Sequence, residues 1–266
     1  MPNRNSDLAQ LQARHGEHYR WWLLAAVMVG TMASVMSSTI INVAVPAMSS
    51  QFSLGQETAQ WVGSGFMLAM TVSMLTTPWL LGRFGMRHTY AATLWLLLIG
   101  GVVGGLSNDF AWVLTARIAQ GLAAGVMQPM PAIVIMLIFA SGEQGRATGI
   151  FGMGVILASA LGPTIGGLLV HAFGWRSIFF MLIPFCLVAS GMTQRYVPAK
   201  IGGAHVRLHP PLDWLGLVLG GAGTVSLLNS LVQWRSGATL VAAILLGCGA
   251  LTLGTFVVWQ RWLSIA

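Results

Sequence analysis

The sequence predicts an all-α membrane protein with about eight transmembrane helices, six followed by two. Apolar residues make up 56% of the 266 residues and charged residues only 7%, whereas soluble proteins carry about 25% charged residues. Eight long runs between the charges are apolar enough to cross a bilayer, and the basic residues are concentrated in alternate loops. These observations exclude an ordinary water-soluble fold.

Each element follows from one of these runs, because a helix needs about 20 residues to cross the hydrocarbon core. A β-barrel is excluded, since the short alternating segments of barrel strands are missing. Pro46 is expected to end the first helix. The predicted helices are Trp21–Val45, Ala59–Leu80, Tyr90–Leu106, Trp112–Ile138, Thr148–His171, Ser177–Gln194, Leu212–Gln233 and Thr239–Gln260.

The domain organisation follows from a polar insertion rich in proline and glycine, residues 195–211. We expect an N-terminal tail over residues 1–20, a six-helix domain over 21–194, this linker, and two further helices over 212–266. Six helices are the size of one transporter half built from two inverted three-helix repeats.

The basic residues predict the orientation. Ten of them fall on the side of the N-terminus and two on the other, which places both termini in the cytoplasm and the chain in the inner membrane. We interpret the N-terminal tail as a segment that is not cleaved off, because it lacks the apolar core of a signal peptide. The net charge of +7 is scattered and forms no continuous patch, so no nucleic-acid partner is expected. The ten are Arg4, Arg14, Arg20, Arg83, Arg87, Arg146, Arg195, Lys200, Arg207 and Arg261, and the two are Arg176 and Arg235.

The fifth predicted helix carries small residues at every fourth position: Gly154, Ala158, Gly162 and Gly166. Small residues let helix backbones approach in lipid, where the hydrophobic effect does not drive association. A generic packing face explains the spacing equally well. The added Pro163 kinks the helix or frees backbone groups, which packing alone does not require.

Arg117 is the only charge well inside a predicted helix. A charge at the bilayer centre costs at least about 2.5 kcal/mol on insertion scales, so it marks a polar site facing the bundle interior. The alternative is that its side chain snorkels to the nearer interface. Gln120 and Gln128 lie on roughly the same side of the helix and favour the interior.

Several chemistries are missing from the sequence. No acidic residue lies inside an apolar run, so a membrane-embedded carboxylate for proton relay is absent. No motif for phosphate binding, metal ligation or nucleophilic catalysis occurs, and we expect neither an enzyme nor a cofactor or metal. Cys186 and Cys248 are interpreted as buried free thiols that act as small apolar residues.

Four motifs carry a family resemblance. They are STIINVAVP over Ser38–Pro46, RIAQG over Arg117–Gly121, GPTIGG over Gly162–Gly167, and WRSIFF over Trp175–Phe180 ahead of Pro184. In this order they resemble the major facilitator superfamily, specifically its fourteen-helix drug:proton antiporter branch. The resemblance covers nearly the whole chain and implies the N-terminal half plus two linker helices.

The resemblance implies a multidrug exporter of amphipathic organic compounds. In that family the arginine and the Gly-Pro motif shape the central cavity and its closure, and the loop over Gly82–Arg87 resembles a cytoplasmic gating loop. The alternative interpretation of that loop is a short basic turn that obeys the orientation rule. The implied cavity and gating residues are Arg117, Gln120, Gly121, Asn42, Gly162, Pro163, Gly166, Gly167, Arg83, Gly85 and Arg87.

The sequence departs from that family at three points. Ser37 stands where the family usually has an Asp, and Gly82 and Met86 replace an acid and a base of the gating loop. The branch has six further helices that would form the second wall of the cavity. We therefore expect that this chain alone does not perform proton-coupled export, and that a homodimer or a second chain supplies the missing wall. The alternative is a non-transporting fragment or accessory subunit.

Overall fold

The computed structural model describes Gly16 and residues 18–198, 213–235 and 239–265. These residues are helical apart from short connections, and no strand occurs among them. They fall into two compact units, with the boundary between His209 and Pro210. Most of the predicted tail and linker, including Arg4, Arg14, Lys200 and Arg207, lies outside the described residues.

In their described residues, all eight predicted segments are helical apart from short breaks. In the first unit the helices are α1 Tyr19–Gln51, α2 Gln56–Met74, α3 Thr77–Phe84, α4 Met86–Leu106, α5 Phe110–Met127, α6 Met130–Ile138, α7 Gln144–Phe173, α8 Ser177–Phe180 and α9 Leu182–Tyr196. In the second unit they are α10 Trp214–Arg235 and α11 Thr239–Ile265.

The described residues hold 6 helical segments long and apolar enough to cross a membrane, or 7 when α2 and α3 count as one bent span. α5 with α6, and α8 with α9, each count as one of these segments. α10 contributes a shorter apolar stretch, Val218–Leu227.

Pro46 does not end the first helix, and that prediction is wrong. α1 continues through it to Gln51. Transmembrane helices tolerate proline because neighbouring helices and hydroxyl side chains re-satisfy the freed backbone groups. The side chain of Pro46 is exposed.

Other prolines do coincide with breaks. α2 ends at Met74, four residues before Pro78, and α3 leaves at an angle of 56°. α5 ends four residues before Pro131, and α8 ends four residues before Pro184. At each place the proline cannot donate the hydrogen bond that a helix gives to the carbonyl four residues earlier.

The helices of the first unit form two triplets with matching neighbours. The first triplet is α1, α2 with α3, and α4; the second is α5 with α6, α7, and α8 with α9. α1 packs on α7 and α5 packs on α2; α4 packs on α5 and α9 packs on α1. When the triplets are exchanged, α1 takes the place of α5, α2 that of α7, and α4 that of α9. The pair α1 with α7 then becomes the pair α5 with α2, and the pair α4 with α5 becomes the pair α9 with α1, as expected of inverted repeats.

The second unit is a helical hairpin of α10 and α11. Asp213 caps α10 by accepting from the backbone N–H of Gly216 at 2.8 Å, and it also accepts from the indole of Trp259 at 3.0 Å. Cys248 on α11 is exposed, which contradicts the prediction of two buried thiols, whereas Cys186 on α9 is buried. A two-helix hairpin has only one internal seam, and Cys248 lies outside it.

Candidate functional site

Arg117 lies inside the first unit. It is only 2% exposed, and its guanidinium contacts two other helices. Nη1 donates to Ser37 Oγ of α1 at 2.8 Å, Nη2 donates to the Ser37 carbonyl at 3.1 Å, and Nε donates to the Val62 carbonyl of α2 at 3.3 Å. Snorkelling to an interface would have left the guanidinium exposed, so the interior position is the observed one.

An aromatic ring completes the surroundings of this guanidinium. The Cζ atom of Arg117 lies 4.3 Å from the centroid of the Phe66 ring on α2. An arginine over an aromatic face gains electrostatic attraction, which is largest where water is excluded. The described contacts of Arg117 are thus carbonyls, a hydroxyl, an amide and a ring, and the positive charge is balanced by dipoles.

Gln120 extends the polar cluster toward α4. Its Oε1 accepts from Arg117 Nη1 at 2.9 Å, and its Nε2 donates to the Leu97 carbonyl at 3.4 Å. The side chain is fully buried and occupies a slot beside Gly100 and Gly101. A Cβ added to Gly100 would lie 2.7 Å from Gln120 Cγ, so this glycine is what makes room for the amide.

Ser37 stands at the position where the family usually has an aspartate. Its side chain is fully buried and points its hydroxyl oxygen at Arg117. An aspartate there would form an ion pair; serine supplies only a dipole. Within the described residues the observed ion pair is Arg20–Glu143, at the start of α1 and of α7.

Two polar residues from the sequence analysis lie apart from this cluster. Asn42 is exposed on α1 and faces Gly63 of α2. Gln128 is half-buried at the end of α5, where its backbone N–H donates to the Ala124 carbonyl. Only Gln120 of the predicted glutamine pair therefore contacts Arg117.

The small residues of α7 face α1. Gly154, Ala158, Gly162 and Gly166 are the buried positions in the membrane-spanning part of the helix. A Cβ added at Gly154, Gly162 or Gly166 would overlap a side chain of α1, respectively Met28, Thr39 and Ile40. The four-residue spacing thus allows α1 and α7 to approach closely.

Pro163 and Gly167 lie beside that face. Pro163 is exposed, and α7 passes it without interruption. As it lacks an N–H, Pro163 leaves the carbonyl of Ser159 without its usual helical donor. Gly167 is half-buried, with Val43 Cγ1 4.0 Å from an added Cβ.

The loop between α3 and α4 is a tight turn. Gly85 links the two helices at φ +77°, a left-handed conformation that favours glycine. Arg83 is exposed, with its guanidinium 5.8 Å from the Trp79 ring centroid. Arg87 donates from Nε to the Val197 carbonyl at 2.6 Å and so joins α4 to the end of α9.

Two buried contacts escaped the sequence analysis. The hydroxyl of Tyr90 on α4 donates to the Val27 carbonyl of α1 at 2.7 Å, and the space for it is left by Gly30. The ring of Phe66 covers Arg117. An aromatic residue in an apolar run gives no signal of such a role, although a tyrosine inside a span signals a need for a hydrogen-bond partner.

The fold and this cluster define a helical integral membrane protein with two three-helix triplets around a buried arginine. The chain belongs to the Major Facilitator Superfamily, whose family model matches residues 27–263.

Curated relatives agree with this family. An uncharacterized MFS-type transporter YhcA of Bacillus subtilis is 31% identical over 90% of this chain and 44% of its own length. The multidrug resistance protein Stp of Mycobacterium tuberculosis is 30% identical over 82% of this chain and 41% of its own length. The chain therefore spans less than half the length of these relatives.

Solved structures share the fold at low identity. An inward-facing, unoccupied bacterial homologue of the human lysosomal transporter Spinster superposes with a TM-score of 0.60 at 18% identity, over 89% of this chain and 60% of that chain. A peptide transporter POT in complex with sulfate gives a TM-score of 0.62 at 16% identity, over 90% of this chain and 49% of that chain.

Proposed function

We propose that the chain takes part in membrane transport as one six-helix wall of a multidrug exporter, and that its substrates are amphipathic organic compounds. A second six-helix unit, either a second copy or another polypeptide segment, supplies the facing wall. The buried Arg117 carries this proposal. A buried charge that serves only packing is costly in a membrane, whereas a polar site for the substrate accounts for its presence.

The relatives support export over other kinds of transport. Besides Stp, they include a tetracenomycin C resistance and export protein of Streptomyces glaucescens, 36% identical over 64% of this chain. A riboflavin transporter RibZ of Clostridioides difficile, 28% identical over 68%, is an alternative precedent for substrate.

We further propose that no residue of the six-helix domain in the first unit takes part in proton coupling. Glu57, Asp109 and Glu143 lie at helix ends, and Ser37 provides no titratable group beside Arg117. The cytoplasmic gating role of Arg83, Gly85 and Arg87 and the cavity roles of Asn42, Gly121, Gly162, Pro163, Gly166 and Gly167 belong to the same proposal. The basic ends support a plasma-membrane location with Arg83 on the cytoplasmic side.

The test measures dye efflux and growth with antibiotics in a bacterium stripped of its own drug exporters, with the full chain expressed. We expect Arg117→Ala to lower the rate conferred by the chain about tenfold or more, the loss that corresponds to about 1.4 kcal/mol of barrier. Arg117→Lys should also fail, because lysine lacks the planar fork that reaches Ser37, Gln120 and Val62 together.

Thr115→Ala is the matched control, since Thr115 is an exposed polar residue two positions away on the same helix. Its efflux should match the parent chain, and membrane levels of all three variants should be equal. Unchanged efflux in Arg117→Ala would remove the arginine from the mechanism. No efflux or resistance from the parent chain would exclude a second copy as the facing wall, and would favour either another polypeptide segment in that place or the non-transporting accessory subunit.

A further inference from the structure

The two ends of the first unit carry opposite charge. One end consists of the starts of α1, α4 and α7 and the ends of α3 and α9. Its described residues include five arginines and a single acid, Glu143, which pairs with one of them. The described residues of the opposite end include Arg176 with two acids, Glu57 and Asp109. The five arginines are Arg20, Arg83, Arg87, Arg146 and Arg195.

Contacts between helices confirm that these residues share one end. Arg20 Nη1 donates to Glu143 Oε2 at 2.5 Å, which joins α1 to α7. The Tyr19 hydroxyl donates to the Tyr196 carbonyl at 2.7 Å, which joins α1 to α9. The start of α1 therefore lies between two basic helix ends.

Trp21 forms one flank of the start of α1. Its ring makes a T-shaped contact with Phe139, with centroids 4.9 Å apart, and the Arg146 guanidinium lies 5.6 Å from the Trp21 centroid. Arg146 itself is exposed. A guanidinium resting on an aromatic face is held in place while its N–H groups, which lie in the plane of the group, remain able to donate outward.

Trp22 forms the other flank with the same combination of groups. It is 50% exposed and stacks on Tyr196 with centroids 5.8 Å apart and planes inclined by 14°. The exposed Arg195 lies 5.8 Å from the Tyr196 ring centroid. Each flank thus offers an exposed guanidinium beside aromatic rings of the kind that occupy the headgroup level of a bilayer.

Arg176 at the opposite end has a structural role, which distinguishes it from Arg146 and Arg195. It also lies over a ring, 4.7 Å from the Trp175 centroid. However, its Nη2 donates to the Ser107 carbonyl at 2.9 Å and to Asn108 Oδ1 at 3.0 Å. It therefore secures the connection between α4 and α5.

We propose that the two flanks of the start of α1, Trp21 with Arg146 and Trp22 with Tyr196 and Arg195, bind the headgroup phosphates of anionic phospholipids. The arginines supply planar, charge-assisted donors that suit phosphate oxygens, and the tryptophans fix the depth of the headgroup. Charge complementarity selects an anionic lipid over a zwitterionic one, because Glu143, the single acid among the described residues of this end, is already paired with Arg20. This inference is independent of transport activity.

The experiment reconstitutes the purified full chain in nanodiscs of palmitoyl-oleoyl phosphatidylglycerol and phosphatidylcholine in equal amounts. Native mass spectrometry after release then counts the lipids that stay bound. The parent chain should retain phosphatidylglycerol in excess. A basic group at the membrane surface contributes a factor of about five in anionic-lipid affinity, so Arg146→Gln and Arg195→Gln should each reduce the excess by up to about fivefold.

Arg176→Gln is the control, since it removes an arginine over a tryptophan at the other end and should leave the excess unchanged. Arg146→Lys and Arg195→Lys keep the charge and should keep most of the excess, which separates lipid binding from a folding defect. Equal retention of the two lipids by the parent chain overturns the proposal. So does an Arg176→Gln loss as large as that of the other two glutamine variants.

Discussion

Two of the close helix seams in the first unit differ in what their small residues touch. In the seam between α2 and α5, a Cβ added to Gly121 or Gly125 would overlap the backbone carbonyl of Phe66 or Met70, and at Gly125 it would also overlap the Ser73 hydroxyl. In the seam between α1 and α7, a Cβ added to Gly162 or Gly166 would overlap the side chains of Thr39 or Ile40. The first seam joins backbone to backbone, and the second joins backbone to side chain.

The difference indicates which seam can adapt. A side chain can change rotamer to make room for an added methyl group, whereas a backbone carbonyl moves only with its helix. The seam between α2 and α5 is also the one that holds Phe66 and Val62 against Arg117. The rigid seam therefore supports the polar cluster, and the adaptable seam lies on the other side of α1.

The largest effect is expected at Gly125. Gly125→Ala should lower the free energy of unfolding by about 3 kcal/mol, at the upper end of overpacking costs, because Met70 O cannot move alone. Unfolding by sodium dodecyl sulfate in mixed micelles measures this loss. Neither Met70→Ala nor Ser73→Ala in the same chain should restore stability, since the Met70 carbonyl still obstructs the added methyl group after either change. A recovery would show that the seam can adapt.

An intermediate effect is expected at Gly162. Gly162→Ala should cost about 1 kcal/mol in the same unfolding assay, at the lower end of overpacking. Thr39→Ala removes the hydroxyl that the new methyl group would meet, so the double variant should be more stable than the sum of the two single changes predicts. Strict additivity would mean that the two side chains do not meet.

The smallest effect is expected at Gly167, the matched control in α7. An added Cβ finds Val43 Cγ1 at 4.0 Å, an ordinary contact distance. Gly167→Ala should change stability by less than about 0.5 kcal/mol, as surface substitutions do. A loss equal to that of Gly162→Ala would erase the distinction between the packed and unpacked faces of α7.

The existence of the helices was predictable, but their breaks were not. Charge-free runs give the spans because the bilayer fixes their length. Pro46 and Pro78 look alike in the sequence, yet α1 passes through the first and α2 ends before the second. The outcome depends on what surrounds the freed carbonyl, which is a property of the packed bundle.

The site was predictable in its centre and not in its partners. A lone arginine in an apolar run indicates an interior site through the cost of its charge, and spacing places Gln120 beside it. Phe66, Val62 and Ser37 come from helices far away in sequence, and local patterns carry no information about which helices meet. The small residues of α7 were visible in the same way, whereas their partner α1 was not.

The bond between Arg117 and Ser37 joins α5 to α1, the first helices of the two triplets. An element can touch its own symmetry mate only around the axis that relates them, so this bond lies near the axis of the triplet exchange. Atoms on an axis are displaced least when the two bodies turn about it. The guanidinium therefore lies close to the axis. If the triplets rotated relative to each other about this axis, the buried charge would keep its hydrogen-bond partners.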